Sequence, residues 1–230
     1  MTAPRGGIPK GALVVSCQAR EDNPLHGPSF MAAMALAAAQ GGAGAIRANG
    51  PRDIAAIRAA VDLPVIGILK RFMEGVPVYI TPSFADAEAV AAAGADIVAV
   101  DATARDRGGE TLADLIDAIR GRLGVPVFAD VSTLDEGIAA EAAGAAYVAT
   151  TLAGYTGHAA VARDAGPDLD LLAALVAACR VPVVAEGRFD SPDLAARALV
   201  LGAHAVVVGT MITNPREISR RFAAALADRC

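Results

Sequence analysis

Two kinds of junction alternate along this chain, and together they leave few folds open. One is an alanine-rich helical run that continues through Gly-Ala into an apolar strand: "AQGGAGAIRA", "AAAGADIVAVD", "EAAGAAYVATT" and "LVLGAHAVVVG". The other is a short apolar strand entered through proline: "VDLPVIGILK", "LGVPVFAD" and "CRVPVVAEG". Glycine past a helix supplies the left-handed residue that ends it. Proline at a strand's first residue removes no ladder hydrogen bond. With the opening "GALVVSCQ", the pattern predicts eight strands near residues 12–18, 44–48, 65–70, 96–101, 126–130, 146–151, 182–186 and 205–210. Helices are expected between them, near 29–40, 51–60, 83–93, 110–122, 133–143, 168–179, 191–201 and 214–227. Ser83, Thr133, Ser191 and Asn214 stand at cap positions, and Pro51, Pro192 and Pro215 fall in first helical turns.

Almost wholly apolar strands alternating with helices mean a parallel sheet covered by helices. Eight such units in 230 residues predict a single α/β domain over residues 1–230, a closed (β/α)8 TIM barrel, with residues 1–10 as a flexible N-terminal segment. The rival is an open doubly wound sheet, whose dinucleotide version is disfavoured because no G-x-G-x-x-G follows the first strand. Two longer stretches, residues 75–83 and 154–167, follow strands three and six as candidate lids; the first carries an extra short strand.

Composition narrows the function classes. Hydrophobic residues make up 54%, much of it alanine, but no apolar run is long enough to span a membrane. A net charge of −5 without a basic block argues against nucleic acid as partner. Cys17, Cys179 and Cys230 form no metal or redox motif and suit reduced thiols in a cytoplasm. The start of the chain has no signal-peptide pattern.

The strands end in chemistry. "PVIGILKR" is apolar until Lys70. The other strands finish at Gln18, Arg47, Asp101, Asp130, Thr150 with Thr151, Glu186, and Gly209 with Thr210. A barrel builds its active site from these ends. Polar residues there can be mere wetting of the barrel top, but long ionisable chains in a mouth are unfavourable unless paired or used. Strands three and seven lie opposite each other in such a barrel, so Lys70 and Glu186 face a central ligand from two sides, with Arg47 and Asp130 placed to orient it. Burial and the neighbouring Arg47 would lower the lysine pKa and make it a base. Gly187 with Arg188, and Gly209 with Thr210, stand where loops seven and eight of a barrel hold phosphate. Asp101, Asp130 and Glu186 have no histidine beside them, so no metal is expected. His204 reads as structural; His158 falls in the second lid candidate.

The stretches "SCQA", "AIRA", "IGILKR", "YITPS", "DIVAVDAT", "TTLAGYT", "AEGR" and "VGTMIT" resemble, in order, the bacterial N-acylglucosamine-6-phosphate 2-epimerases. That family converts N-acetylmannosamine 6-phosphate to N-acetylglucosamine 6-phosphate in sialic acid breakdown. The resemblance implies a barrel, usually a homodimer, acting on a small amino sugar phosphate with no nucleotide or organic cofactor. It puts the catalytic lysine and glutamate on Lys70 and Glu186. Substrate contacts fall on Gln18, Arg47 and Asp130, and "TTLAGYT" adds Thr151 and Tyr155. After "VGTMIT" many members have arginine where this chain has Asn214, leaving Arg188 or Arg216 to supply the cation. The residues alone leave two other readings: an aldolase in which Lys70 forms a Schiff base, and a sugar-phosphate-binding barrel without catalysis.

Overall fold

A computed structural model describes residues 6–157 and 166–227. His158 and Cys230 lie outside the described residues. The strands are β1 Ala12–Cys17, β2 Ala45–Asn49, β3 Val65–Ile68, β4 Ile97–Asp101, β5 Val127–Asp130, β6 Tyr147–Ala149, β7 Val183–Glu186 and β8 Ala205–Val208. They close a barrel in chain order, all pairs parallel, with β8 hydrogen-bonded back to β1. The helices are α1 Pro28–Gln40, α2 Pro51–Ala60, α3 Phe84–Ala92, α4 Leu112–Ala118, α5 Leu134–Ala142, α6 Leu169–Ala178, α7 Pro192–Val200, α8 Thr210–Thr213 and α9 Pro215–Ala227. The (β/α)8 barrel expected from the junctions is therefore the fold.

The Gly-Ala junctions share one geometry. Gly42, Gly94, Gly144 and Gly202 have φ of 94°, 102°, 101° and 100°. The following Ala43, Ala95, Ala145 and Ala203 are buried, and each N–H reaches back five residues to a helix carbonyl at 3.0–3.4 Å. This is the Schellman ending, with alanine as its apolar contact. At the other junctions the Pro64, Pro126 and Pro182 carbonyls accept from Ile46, Val98 and Val148 while their nitrogens owe nothing. Ser83, Thr133 and Ser191 cap α3, α5 and α7 as expected, and the Asn214 side chain accepts from Glu217 N–H in α9.

Two apolar layers result. The outward faces of the strands pack under the helices, while Val14, Ile66, Ile97, Phe128, Tyr147 and Val184, among others, fill the barrel. The expectation of a flexible segment over residues 1–10 fails at Ile8. That side chain is 4% exposed in the inner cluster, its N–H bonds the Tyr147 hydroxyl at 3.2 Å, and its carbonyl meets His204 Nε2 at 2.7 Å. His204 is thus structural.

Several ends differ from expectation; β6, for one, stops at Ala149 rather than near 151. β3 stops at Ile68, because the chain folds back and residues Tyr79–Thr81 enter between β3 and β4. Lys70 bridges Ile80 antiparallel, and Asp101 N–H donates to the Ile80 carbonyl at 2.8 Å. β8 stops at Val208 and the short helix α8 follows at once. The expected helix 110–122 is α4 followed by a π-helical turn at Ile119–Leu123, ended by left-handed Gly124.

Gly67 in β3 turns toward the helices. A Cβ there would come within 2.5 Å of Val90 Cγ1 and 2.6 Å of Ala95 Cβ. Gly67→Ala should lower unfolding stability by about 1–3 kcal/mol through overpacking, read as a fall in the urea midpoint.

Candidate active site

Side chains alternate along a strand, so the parity that fills the barrel also fills its mouth. Ala45 is followed two residues on by Arg47, Ile68 by Lys70, and Ala99 by Asp101. Likewise Phe128 leads to Asp130, Ala149 to Thr151, Val184 to Glu186, and Val14 through Ser16 to Gln18. Gln18, Arg47, Lys70, Asp101, Asp130, Thr151 and Glu186 share this inward parity; Thr150 and Thr210 do not.

At the centre lies Arg47, 1% exposed. Its guanidinium forks onto Asp130, Nη1 to Oδ1 at 2.9 Å and Nη2 to Oδ2 at 2.5 Å, and Nη1 also reaches Glu186 Oε2 at 2.8 Å. Phe128 lies beneath, its ring centre 5.2 Å from the guanidinium carbon. Asp130 is wholly buried and takes a further bond from Thr151 Oγ1 at 2.5 Å. Arg47 Nε has no partner among the described residues. Burial alone would lower the Arg47 pKa, but the Asp130 and Glu186 charges outweigh it and raise it.

Lys70, just past the end of β3, is solvent-exposed. Desolvation by the nearby protein, then the Arg47 charge, lowers its pKa from 10.5 to about 8, against the opposing pull of Glu186 and Asp130. Glu186, whose side chain is 13% exposed, is pushed up to about 7 by desolvation, with Arg47 opposing and Asp130 adding to the rise. Both groups are therefore moved toward neutrality, one able to take a proton and the other to give or take one.

The remaining expected residues are arranged around this cluster. Gln18 donates to Ser16 Oγ at 2.8 Å, and its Oε1 is buried without a partner among the described residues. Gly187 and Arg188 follow β7 with φ of 113° and 60°. Arg188 spans to the loop after β6, Nη1 to the Ala153 carbonyl at 2.5 Å and Nε to the Gly166 carbonyl at 2.9 Å; its Nη2 is buried without a partner among the described residues. Gly209 and Thr210 open α8. Tyr155 is not in the charged cluster; its ring packs under the Arg188 guanidinium at 5.5 Å. Arg216 does not supply a cation to the mouth, since it pairs with Asp22 at 3.1 Å on the surface. Asn214 accepts from Asn23 Nδ2 at 3.3 Å in addition to capping α9.

Sequence reasoning missed several members. Asn49 Oδ1 accepts the Lys70 N–H at 2.9 Å and so fixes the backbone of the lysine; parity along "AIRAN" carries the signal for it. Tyr79, brought in by the hairpin after Lys70, joins the inner cluster and packs on Phe72 with ring centres 5.2 Å apart. Asp101, named from the sequence as a strand end, is buried and held by Thr103 and Arg105, and desolvation raises its pKa.

Comparison with known proteins places this geometry among relatives. The family model described as "Putative N-acetylmannosamine-6-phosphate epimerase" matches residues 31–228. A protein of Thermosynechococcus vestitus called "Putative N-acetylmannosamine-6-phosphate 2-epimerase" is 52% identical over 94% of this chain and 94% of its own length. One of the same designation from Shouchella clausii is 48% identical over 94% and 96%. The solved N-acetylmannosamine-6-phosphate 2-epimerase from Clostridium perfringens superposes with a TM-score of 0.91 at 44% identity, covering 95% of this chain and 94% of that one. A thiamine phosphate pyrophosphorylase from Pyrococcus furiosus, at 19% identity and TM-score 0.57, shares the fold alone.

Replacing the central cation tests the electrostatics. Arg47→Met leaves Asp130 and Glu186 buried together and should destabilise the fold by about 3–5 kcal/mol. It should also move the Lys70 and Glu186 pKa values upward, since Arg47 lowers both. Urea unfolding and carbon-13 NMR titration read the two effects.

Proposed function

This chain belongs to the N-acetylmannosamine-6-phosphate epimerase family, and we propose that it interconverts N-acetylmannosamine 6-phosphate and N-acetylglucosamine 6-phosphate by moving a proton at carbon 2. In the open-chain sugar that carbon adjoins the aldehyde, so loss of its proton yields an enolate. The neutral Lys70 amine removes the proton. Glu186, poised near neutrality, serves proton return and ring opening. Return of the proton to the opposite face inverts the centre. Asp130 and Arg47 form the floor, while Gln18 and Thr151 meet hydroxyl and acetamido groups. Gly187, Arg188, Gly209 and Thr210 hold the phosphate. Gly209 leads directly into the N-terminus of α8 at the end of β8, which supports that assignment.

One observation carries the reading: a lysine held well below its ordinary pKa beside a carboxyl held well above its own, in one barrel mouth. Sugar phosphate incubated with enzyme in D₂O should exchange its carbon 2 proton by NMR, and Lys70→Ala should abolish this while the fold persists. An exchange rate unchanged in that variant would refute the assignment. Borohydride with substrate should trap no adduct; a trapped adduct would favour the Schiff-base reading. Lys70 acts in its neutral form and Glu186 returns the proton in its protonated form, so kcat/KM should follow a bell that falls below about 7 and above about 8. An ordinary lysine would instead hold the rate level well beyond pH 8.

The homodimer is supported by α9, which buries no residue and carries Ile218, Phe222 and Leu226 at four-residue spacing, the last two 69% exposed. A second copy covering this stripe fits its apolar character. Light scattering should give twice the 23.1 kDa chain mass, falling to one chain in Phe222→Asp. The unpaired Cys17 and Cys179 thiols suit a cytoplasmic enzyme. Within that compartment the activity fits sialic acid catabolism.

A further inference from the structure

The hydroxyl of Thr150 occupies a place that normally belongs to a backbone carbonyl. β6 and β7 pair in parallel, and Thr150 N–H donates to the Val184 carbonyl at 3.3 Å. A regular ladder would continue with Glu186 N–H donating to the Thr150 carbonyl. Here the chain turns after β6, and the Thr150 carbonyl accepts from Ala153 N–H at 3.1 Å instead. The Thr150 side chain fills the gap. Glu186 N–H donates to Thr150 Oγ1 at 3.0 Å, and Oγ1 donates back to the Glu186 carbonyl at 2.8 Å.

One hydroxyl thus satisfies both peptide groups of Glu186, and it does so 3% exposed, where water has little access to replace it. The location matters because Glu186 is the last extended residue of β7. The next two residues, Gly187 and Arg188, both have positive φ, so the ladder gives no support beyond it. From that fixed peptide the carboxylate reaches Arg47 at 2.8 Å. The same turn lets the neighbouring Thr151 hydroxyl reach Asp130.

We propose that Thr150 is a positioning residue for the proton-transfer carboxyl: its hydroxyl clamps the Glu186 peptide and thereby keeps the carboxylate seated on Arg47. The inference rests on the role given to Glu186 above. Thr150→Val removes the hydroxyl at almost constant volume, and Thr150→Ser keeps it.

The test is steady-state kinetics of these variants alone and in a Glu186→Gln background, with carbon 2 exchange in D₂O as the readout for slow enzymes. Thr150→Val should lose roughly ten- to a hundredfold in kcat, the scale expected when a reacting group is displaced, with KM changed less than about threefold. Thr150→Ser should stay within about threefold of the parent. The kinetic limb set by Glu186 should move toward the ordinary carboxyl range in the valine variant, because a carboxyl released from its seat regains water. In the Glu186→Gln background the valine change should cost little more, since both act on one step. The proposal is overturned by a valine variant with parental kcat and pH profile, by a serine variant as impaired as the valine one, or by an equal loss with and without Glu186. Should the valine protein not fold, Thr150→Ala enters the same cycle. Parental turnover in Glu186→Gln alone would sink the assignment of the carboxyl itself. A slow Glu186→Gln enzyme with additive losses would sink only the clamp.

Discussion

A fully buried guanidinium organises the working end of this barrel. Arg47 has left water, and a cation there is tolerable only if anions go with it. Asp130 and Glu186 provide them from two other strands, so β2, β5 and β7 are tied through one side chain. The arrangement sets the proton chemistry at the same time. Two carboxylates and a guanidinium in one low-dielectric space cannot all keep ordinary properties. Glu186 moves up because its burial and its neighbour Asp130 oppose a second negative charge, and Lys70 moves down because burial and Arg47 oppose a second positive one.

Charge would be useless without orientation, and that comes from the backbone. Lys70 is held through Asn49, and Glu186 through Thr150. In both cases a polar side chain from the preceding strand replaces ladder support where the chain leaves the sheet. The hairpin returning through Ile80 then seats the strand carrying Lys70 against Asp101. The Lys70 and Glu186 peptides are therefore both tied to neighbouring strands.

The two ends of the barrel divide their duties. At the bottom, four Schellman endings and three proline entries decide where seven of the eight strands begin, which fixes which residues turn inward. Ile8, Tyr147 and His204 close that floor. At the top, the same inward parity emerges as Arg47, Lys70, Asp130 and Glu186. A shift of one residue at any lower junction would turn the corresponding active group out toward the helices. The repeated junctions thus decide which side chains meet at the barrel mouth although none of them lies there.

Much of this was legible in the amino-acid order. The alternation of Gly-Ala and Pro-Val junctions determined the number, order and parallel direction of the strands, because each junction obeys local backbone chemistry. The apolar runs that end in ionisable residues determined which side chains meet in the mouth, because parity along a strand is also local. What tertiary structure decided depends on segments that meet only in space. These include the pairing of Arg47 with two distant carboxylates, the entry of Tyr79–Thr81 between β3 and β4, and the diversion of Arg216 to Asp22. They also include the departure of Tyr155 toward Arg188 and the burial of Ile8 in the barrel floor. Local rules tell a residue which way to face, but the energy of a charge or a hydroxyl is set by whatever the fold brings against it.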